Sequence, residues 1–332
     1  MKSNRVCDMI LRYFNLEVLM INQTRNNLKG CIILCLASLI WGLAFVAQSD
    51  AADLVPSFLF NSLRSLIAVA FLAGLLLLKK AKTKIPIFPA DKNARKGAIL
   101  GGALCGVFLT VSVNLQQFGI ANYPQGAPAE ARGGFLTSLY VVLVPLLSVF
   151  LGKKLKLVTL VSVLISVCGF YLLCLWDGVA GIYLGDLLML LCALTFSFHI
   201  LTVDRFGSEI DGILLSMIQF AVCGVLSGLL SLGFETVEWQ NVLKAAFPIL
   251  YTGVMSSGVA YTMQIYGQKY AEPAIASLAM SLESVFAALG GWVIAGNALR
   301  LPEFIGCALV FFAIVLAQIP QLLETRKGRK SQ

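Results

Sequence analysis

The chain has 332 residues, 58% of them hydrophobic and 13% charged, a net charge of +8 and a mean hydropathy of +0.86. That balance excludes an ordinary soluble domain and points to a polytopic membrane protein. The positive charge does not indicate nucleic acid, because most basic residues lie in short links between apolar runs, where they report topology.

Residues 1–28 are polar and basic, with Lys2, Arg5, Arg12 and Arg25, and lack an apolar core of signal-peptide length. They read as a cytoplasmic leader. Met20 is an alternative start, and residues 1–19 would then carry no function. Ten apolar runs follow, each near the ~20 residues that a helix needs to cross the hydrocarbon core. They cover roughly 30–48, 56–78, 97–119, 133–151, 157–176, 183–203, 212–233, 243–265, 273–296 and 302–321. Pro56, Pro273 and Pro302 open three of them, where the first turn has no use for an N–H. Pro145 and Pro248 predict kinks inside the fourth and eighth. The ninth reads as one uninterrupted helix from Pro273 to Gly296.

Basic residues orient the chain. Lys79, Lys80, Lys82, Lys84, Lys92, Arg95 and Lys96 lie between runs two and three, Lys153, Lys154 and Lys156 between four and five, and Arg326, Lys327, Arg329 and Lys330 after run ten. The opposite links carry Asp50, Asp53, Asp177, Glu235 and Glu238, with few basic residues beyond Arg132, Lys244 and Arg300. Both termini are therefore expected in the cytoplasm, with the chain in a bacterial-type inner membrane. Eight cysteines (Cys31, Cys35, Cys105, Cys168, Cys174, Cys192, Cys223 and Cys307) fall inside apolar runs and read as small buried hydrophobes rather than a disulfide framework or metal site.

The chain also resembles itself. Gly30–Leu72 aligns without a gap on Gly185–Ser227 and places Arg64 on Gln219; Phe135–Leu157 overlays residues 279–301 after small shifts, with Gly152 on Gly296 and Leu139 on Glu283. Five spans per half turn the second half upside down, a common plan for secondary transporters. The expected organisation is a leader at 1–28, five-helix repeats at 29–176 and 177–321, and a basic cytoplasmic tail at 322–332.

LIWGLAFVAQ (Leu39–Gln48), FLFNSLRSLIA (Phe58–Ala68), GFLTSLYVVLVPLL (Gly134–Leu147), GDLLMLLCALTFSFHILTVDRF (Gly185–Phe206) and SLESVFAALGGWVIAG (Ser281–Gly296) together resemble the EamA-type family of the drug/metabolite transporter superfamily, from Leu28 to Gln321. The resemblance implies an all-α fold of ten transmembrane helices, two inverted five-helix repeats around a central cavity, and export of small metabolites. There are two departures. Many relatives close helices four and nine with Gly-Glu, where this chain has Gly152-Lys153 and Gly296-Asn297. The link Pro124–Arg132, PQGAPAEAR, is also longer and more charged than usual.

Glu283 lies at the middle of the ninth run, among the small residues Ser277, Ser281, Ser284, Ala287, Ala288, Gly290 and Gly291. A carboxylate at that depth costs about 2.5–3.5 kcal/mol and normally faces a cavity or a partner. Arg64 is the basic residue deep inside a span, ~12 Å from the outer surface by helix rise, against ~15 Å from the inner surface for Glu283. The two are expected to border the cavity and hold the ends of a zwitterion; direct pairing and snorkelling of Arg64 are the competing readings. His199, the one histidine, is a candidate with Glu283 for proton coupling, or else a hydrogen-bonded packing residue. Trp41, Asn61, Asn114, Gln117, Tyr140, Tyr261 and Gln264 complete the candidate substrate-binding set, with Gln116 beside them: aromatic and amide groups in an apolar pocket suit a small ligand. Asp186 reads as a first-turn acid favoured by the helix dipole, and Gly102–Gly106 and Gly224–Gly228 as helix-packing motifs.

No Walker loop, His-Glu-x-x-His or Gly-x-Ser-x-Gly is present. The reading is a secondary transporter, not an enzyme: an exporter of a small polar or amphipathic metabolite (amino-acid-like, nucleobase or drug) by alternating access. It expects no cofactor and no metal; its partners are the small-molecule substrate and the bilayer, not nucleic acid, with protons and a homodimer left open. Two other classes stay open: a membrane-embedded enzyme on a lipid-linked substrate, and a structural or sensory membrane subunit.

Overall fold

The computed structural model describes residues 2–124, 129–153, 155–174, 183–295 and 301–330. Within them the chain is all-helical: α1 (Lys2–Ala52), α2 (Ser57–Thr83), α3 (Lys92–Ala121), α4 (Ala129–Thr137), α5 (Tyr140–Phe150), α6 (Leu157–Cys174), α7 (Leu184–Gly207), α8 (Gly212–Phe234), α9 (Trp239–Lys244), α10 (Ala246–Tyr251), a π-helix (Thr252–Ala260), α11 (Tyr261–Gln268), α12 (Pro273–Met280), α13 (Leu282–Ala295) and α14 (Leu301–Lys330). Among the described residues seven segments are long and apolar enough to cross a membrane, and Leu157–Gly169 and Phe304–Ala317 are shorter apolar helices. This is a polytopic α-helical membrane protein. The expected Gly296-Asn297 departure, Lys154, Asp177, Arg300, residues 125–128 of the long link and the boundary between the two halves lie outside the described residues.

Three of the apolar runs depart from a continuous α-helix: the ninth, expected to be uninterrupted, and the fourth and eighth, whose irregularities do not lie at the expected proline kinks. The ninth is interrupted at Ser281 (φ −65°, ψ −10°), which separates α12 from α13. The fourth is interrupted in the same way at Ser138–Leu139, where Leu139 has φ −60° and ψ −10°. Pro145 sits inside α5, downstream of that break. In the eighth run the irregularity is the π-helix, which begins four residues after Pro248. Its glycines lie hard against α2: a Cβ on Gly253 would stand 2.7 Å from Ile67 Cγ2, and one on Gly258 2.7 Å from Phe71 Cδ1. A π turn is wider than an α turn and is frequently found at functional sites.

Side chains from neighbouring helices answer the backbone groups near these breaks, as an apolar solvent requires. Ser38 Oγ on α1 lies 3.1 and 3.0 Å from the carbonyls of Ala279 and Met280, the last residues of α12. Ser284 Oγ donates to the carbonyl of Gly134 on α4 at 2.8 Å, and Ser138 and Ser284 hydroxyls are hydrogen-bonded to each other.

In the bundle α2 packs on α8 and the π-helix, α3 on α7 and α8, α6 on α14, α1 on α11, α12 and α13, and α7 on α4 and α5. Both Gly-x-x-x-Gly motifs serve these internal contacts: Gly102 and Gly106 admit Ile218 and Val222, and Gly224 admits Leu66. Two acids join elements far apart in sequence. Glu235, just past α8, accepts from the N–H groups of Phe58 and Leu59 at 2.8 and 2.9 Å and so caps α2, which Pro56 leaves uncapped. Asp211 caps α8 through Ile213 and Leu214 and pairs with Lys79 of α2 at 2.6 Å. Burial raises the Asp211 carboxyl pKa, but the Lys79 ammonium and the N–H groups of Leu214 and Ile213 hold it below its ordinary value.

Two outcomes follow for purified protein in detergent. A Cβ at Gly42 would stand 2.4 Å from Phe286 Cβ on α13, so Gly42→Ala is expected to lose about 1–3 kcal/mol by overpacking. Gly74, with nothing within 4 Å, should tolerate alanine or gain from it; equal melting of the two variants would contradict the α1–α13 packing. The depressed Asp211 pKa means that its contribution is present above the ordinary carboxylate range and lost as pH falls through the folded-state value. The stability difference between the unmodified chain and Asp211→Asn should therefore close on acidification.

Candidate functional site

The two interruptions, the π-helix and α1 meet around one small cavity of about 40 Å³. α1 contributes Trp41, Phe45 and Gln48; α2 Arg64; α3 Gln116; α7 Phe196 and Ile200. The interrupted run four supplies Thr137 and Tyr140 from either side of its break, and run nine Met280 and Glu283 likewise. The π-helix turns Ser256 into the space, and α11 adds Tyr261 and Gln264.

The two intramembrane charges share this cavity without touching. Among the described residues no ion pair within 4 Å involves Arg64 or Glu283. Arg64 is 2% exposed, so it does not snorkel. Its Nη1 donates to Gln48 Oε1 at 3.1 Å, its guanidinium lies 5.5 Å from the Phe60 ring centroid, and its Nε has no hydrogen-bond partner. Glu283 stands in the first turn of α13, where the positive end of the helix dipole favours a carboxylate. Its Oε1 accepts from the Tyr140 hydroxyl at 2.9 Å. The interruption at Ser281 thus places a helix N-terminus, and an acid on it, inside the bundle.

Aromatic side chains line the same cavity. Trp41 meets Tyr261 edge to face at 4.9 Å, and Tyr261 in turn meets Phe220 at 5.2 Å. Trp41 Nε1 is buried and has no acceptor. With Arg64 Nε it makes two orphaned donors on residues that line one cavity, a costly arrangement unless a guest supplies acceptors.

Six of the nine candidate binding residues, Trp41, Arg64, Tyr140, Tyr261, Gln264 and Glu283, line this cavity. The other three hold the bundle beside it. Asn61 Nδ2 donates to the Val113 carbonyl and Asn114 Oδ1 at 3.0 and 2.9 Å; Asn114 Nδ2 donates to Ser227 Oγ at 2.8 Å; Gln117 Nε2 donates to the Gln48 carbonyl at 3.2 Å. His199 is buried behind Tyr261, ring centroids 6.0 Å apart, and its Nε2 donates to Gln219 Oε1 at 3.0 Å. Gln48, Thr137 and Ser256 were not singled out in the sequence. Gln48 is one short polar residue near the end of an apolar run, and nothing in its own neighbourhood reveals that Arg64 reaches it from the next helix.

Asp186 proves to be more than a first-turn acid. It accepts from the N–H of Tyr183 at 2.9 Å and the hydroxyl of Tyr123 at 2.9 Å, and forms a two-point pair with Arg132, Nη2 to Oδ2 at 2.7 Å and Nε to Oδ1 at 3.1 Å. The guanidinium lies over the Tyr183 and Tyr123 rings at 4.8 and 5.9 Å. This buried cluster fastens α4 to α7 at one end of the cavity-lining bundle, and Lys153, beyond α5, pairs with Asp204 of α7 toward the other end.

The EamA-like transporter family profile matches residues 28–175 and 183–318. The chain belongs to the EamA-like transporter family. It is 29% identical over 288 residues to an uncharacterized transporter of Archaeoglobus fulgidus, covering 86% of this chain and 84% of the relative. It is 23% identical to the uncharacterized inner membrane transporter YedA of Escherichia coli K12, covering 87% and 90%, and 23% identical to the uncharacterized transporter YoaV of Bacillus subtilis, covering 84% and 93%. A solved crystal structure shares the fold with a TM-score of 0.68 at 21% identity, covering 87% of this chain and 96% of that one. This EamA-like protein is accordingly an integral membrane transporter.

Removing one partner of the Arg132–Asp186 pair takes the two-point ion pair away from the buried residue that remains. Arg132→Gln or Asp186→Asn alone should lower stability by about 3 kcal/mol, and the double variant should recover part of that loss. Thermal unfolding of the three variants checks this; additive losses would contradict the pairing.

Proposed function

We propose that this EamA-like transporter is a secondary exporter of a small amphipathic zwitterion, amino-acid-like in its charges, working by alternating access with both termini in the cytoplasm. The observation that carries the reading is the placement of Arg64 and Glu283, not paired with each other, on one cavity that aromatic side chains also line. In this reading Arg64 Nε and Trp41 Nε1, the two orphaned donors, take the carboxylate of the substrate. Glu283, steadied by Tyr140, takes the ammonium, and Trp41, Phe45, Phe196 and Tyr261 enclose the apolar body. Gln48, which already accepts from Arg64, positions the guanidinium.

Two inverted repeats at 29–176 and 177–321 suit the packing. Exchanging the halves carries the α3–α7 contact onto that of α1 with α11 and the π-helix, and the α1–α13 contact onto that of α7 with α4 and α5. It carries α2–α8 and α6–α14 onto themselves. In the overlay of the halves the interruptions at Leu139 and Ser281 fall within two residues of each other, and interrupted helices commonly form the substrate site of inverted-repeat transporters. Orientation rests on the lysine-rich links between α2 and α3 and after α5. Proton exchange at Glu283 is the coupling step this arrangement permits, and a buried ionisable group inside a span is by default a functional one.

The test is the metabolite profile of the medium around cells overproducing the chain, compared with Glu283→Gln and Arg64→Gln at equal membrane levels. A zwitterionic compound that accumulates outside with the unmodified chain should fall about tenfold or more in each variant, the scale of a lost charged hydrogen bond. The double variant should lose less than the product of the single losses, because both residues hold one molecule. Multiplicative losses, or a substrate with only one charge, would overturn the two-ended site.

A further inference from the structure

A second cavity, of about 480 Å³, lies where α2 ends and α3 begins. The link 84–91 folds back against the bundle: Ile87 and Phe88 pack with Leu76, Ala98, Phe206 and Leu214, which gives the cavity an apolar floor. Lys79, Lys80 and Asn93 stand on its rim.

The charges around it leave a surplus of one sign. Residues 79–96 contain seven basic residues and one acid, Asp91. Asp91 is engaged in capping α3 through the N–H of Ala94 at 2.7 Å. The two acids that line the cavity, Asp211 and Glu209, already have cationic partners in Lys79 and Arg205. Lys80 lines the cavity, is exposed and has no ion pair among the described residues. Immediately beside this rim Leu77, Leu78 and Leu100 are 59%, 61% and 56% exposed on two membrane-spanning helices, so an apolar lipid-facing strip adjoins the basic cavity. A ligand that fits both carries an anion and long apolar chains.

We propose that this cavity binds an anionic phospholipid of the leaflet on its own side of the membrane, with the head-group phosphate on Lys80 and Asn93 and the acyl chains along Leu77, Leu78 and Leu100. Binding here ties the α2–α3 link to the α7–α8 turn, the two elements that the Lys79–Asp211 pair already joins. The site is separate from the Arg64–Glu283 cavity, so it stands whether or not the zwitterion reading does.

The full chain, purified in a neutral detergent, is titrated with dioleoylphosphatidylglycerol, dioleoylphosphatidylcholine or inorganic phosphate, and binding is read from thermal unfolding. The anionic lipid should bind several-fold more tightly than the zwitterionic one, and Lys80→Gln should weaken it about fivefold, the usual effect of one lysine at an anionic surface. Gly97 lines the cavity, and a Cβ there would meet nothing within 4 Å. Gly97→Phe should therefore obstruct the space, leave lipid-free unfolding unchanged and weaken the response to phosphatidylglycerol several-fold. An undiminished response in Gly97→Phe, or equal binding of the two lipids, would overturn the proposal. Competition by inorganic phosphate at the concentration where the lipid acts would also overturn it, by showing a soluble-anion site.

Discussion

Inside an apolar bundle a carboxylate and a guanidinium must be met by the protein itself, because no water of the bilayer core can do so. Much of the architecture follows from that constraint. Glu283 is met by Tyr140 and by the first turn of a helix that begins inside the membrane; Arg64 is met by Gln48 and the face of Phe60. Neither uses the other. The two charges are satisfied separately on one cavity, and Arg64 Nε keeps unused hydrogen-bonding capacity, which a direct pair would have reduced.

The irregular backbone is what makes that separation feasible. A straight ninth helix would place Glu283 in the middle of a continuous ladder, far from any uncompensated N–H group. The turn at Ser281 brings the positive end of α13 to it, and the matching turn at Ser138–Leu139 brings Tyr140 opposite. Such turns are tolerable in a membrane only where hydroxyls on neighbouring helices answer the backbone, here Ser38 and Ser284. The serines that look in the sequence like mere small packing residues therefore have a second use.

Fastening is unequal around the bundle. α4 and α5 are joined to α7 by ion pairs at both ends, Arg132–Asp186 and Lys153–Asp204, whereas the corresponding contact of α1 with α12 and α13 relies on close backbone approach at Gly42 and on the Ser38 hydroxyl. Ion pairs at the ends of spans and small residues along their middles are two solutions to the same problem: helices in lipid gain little from the hydrophobic effect and must adhere by packing and polar contacts.

Composition and hydropathy determined the class of this protein, because a chain this apolar has no other solvent in which to fold, and the apolar runs coincide with helical segments, although α1 begins at Lys2 and seven segments among the described residues are long and apolar enough to span. The placement of Arg64 and Glu283 inside apolar runs was legible for the same reason. Rotation was not legible. Within one stretch of α3 the cavity takes Gln116 and leaves Gln117 to bond the Gln48 carbonyl, and Asn61, one turn from Arg64, serves a helix contact instead. Only packing chooses which side of each helix faces inward, and the partners that decide it lie up to 242 residues away in the chain, as with Ser38 and Met280. The helix interruptions and the Arg132–Asp186 cluster belong to that second kind of knowledge: a local sequence has no reason to break or to bury a charge until a neighbouring helix supplies the hydrogen bonds that make it affordable.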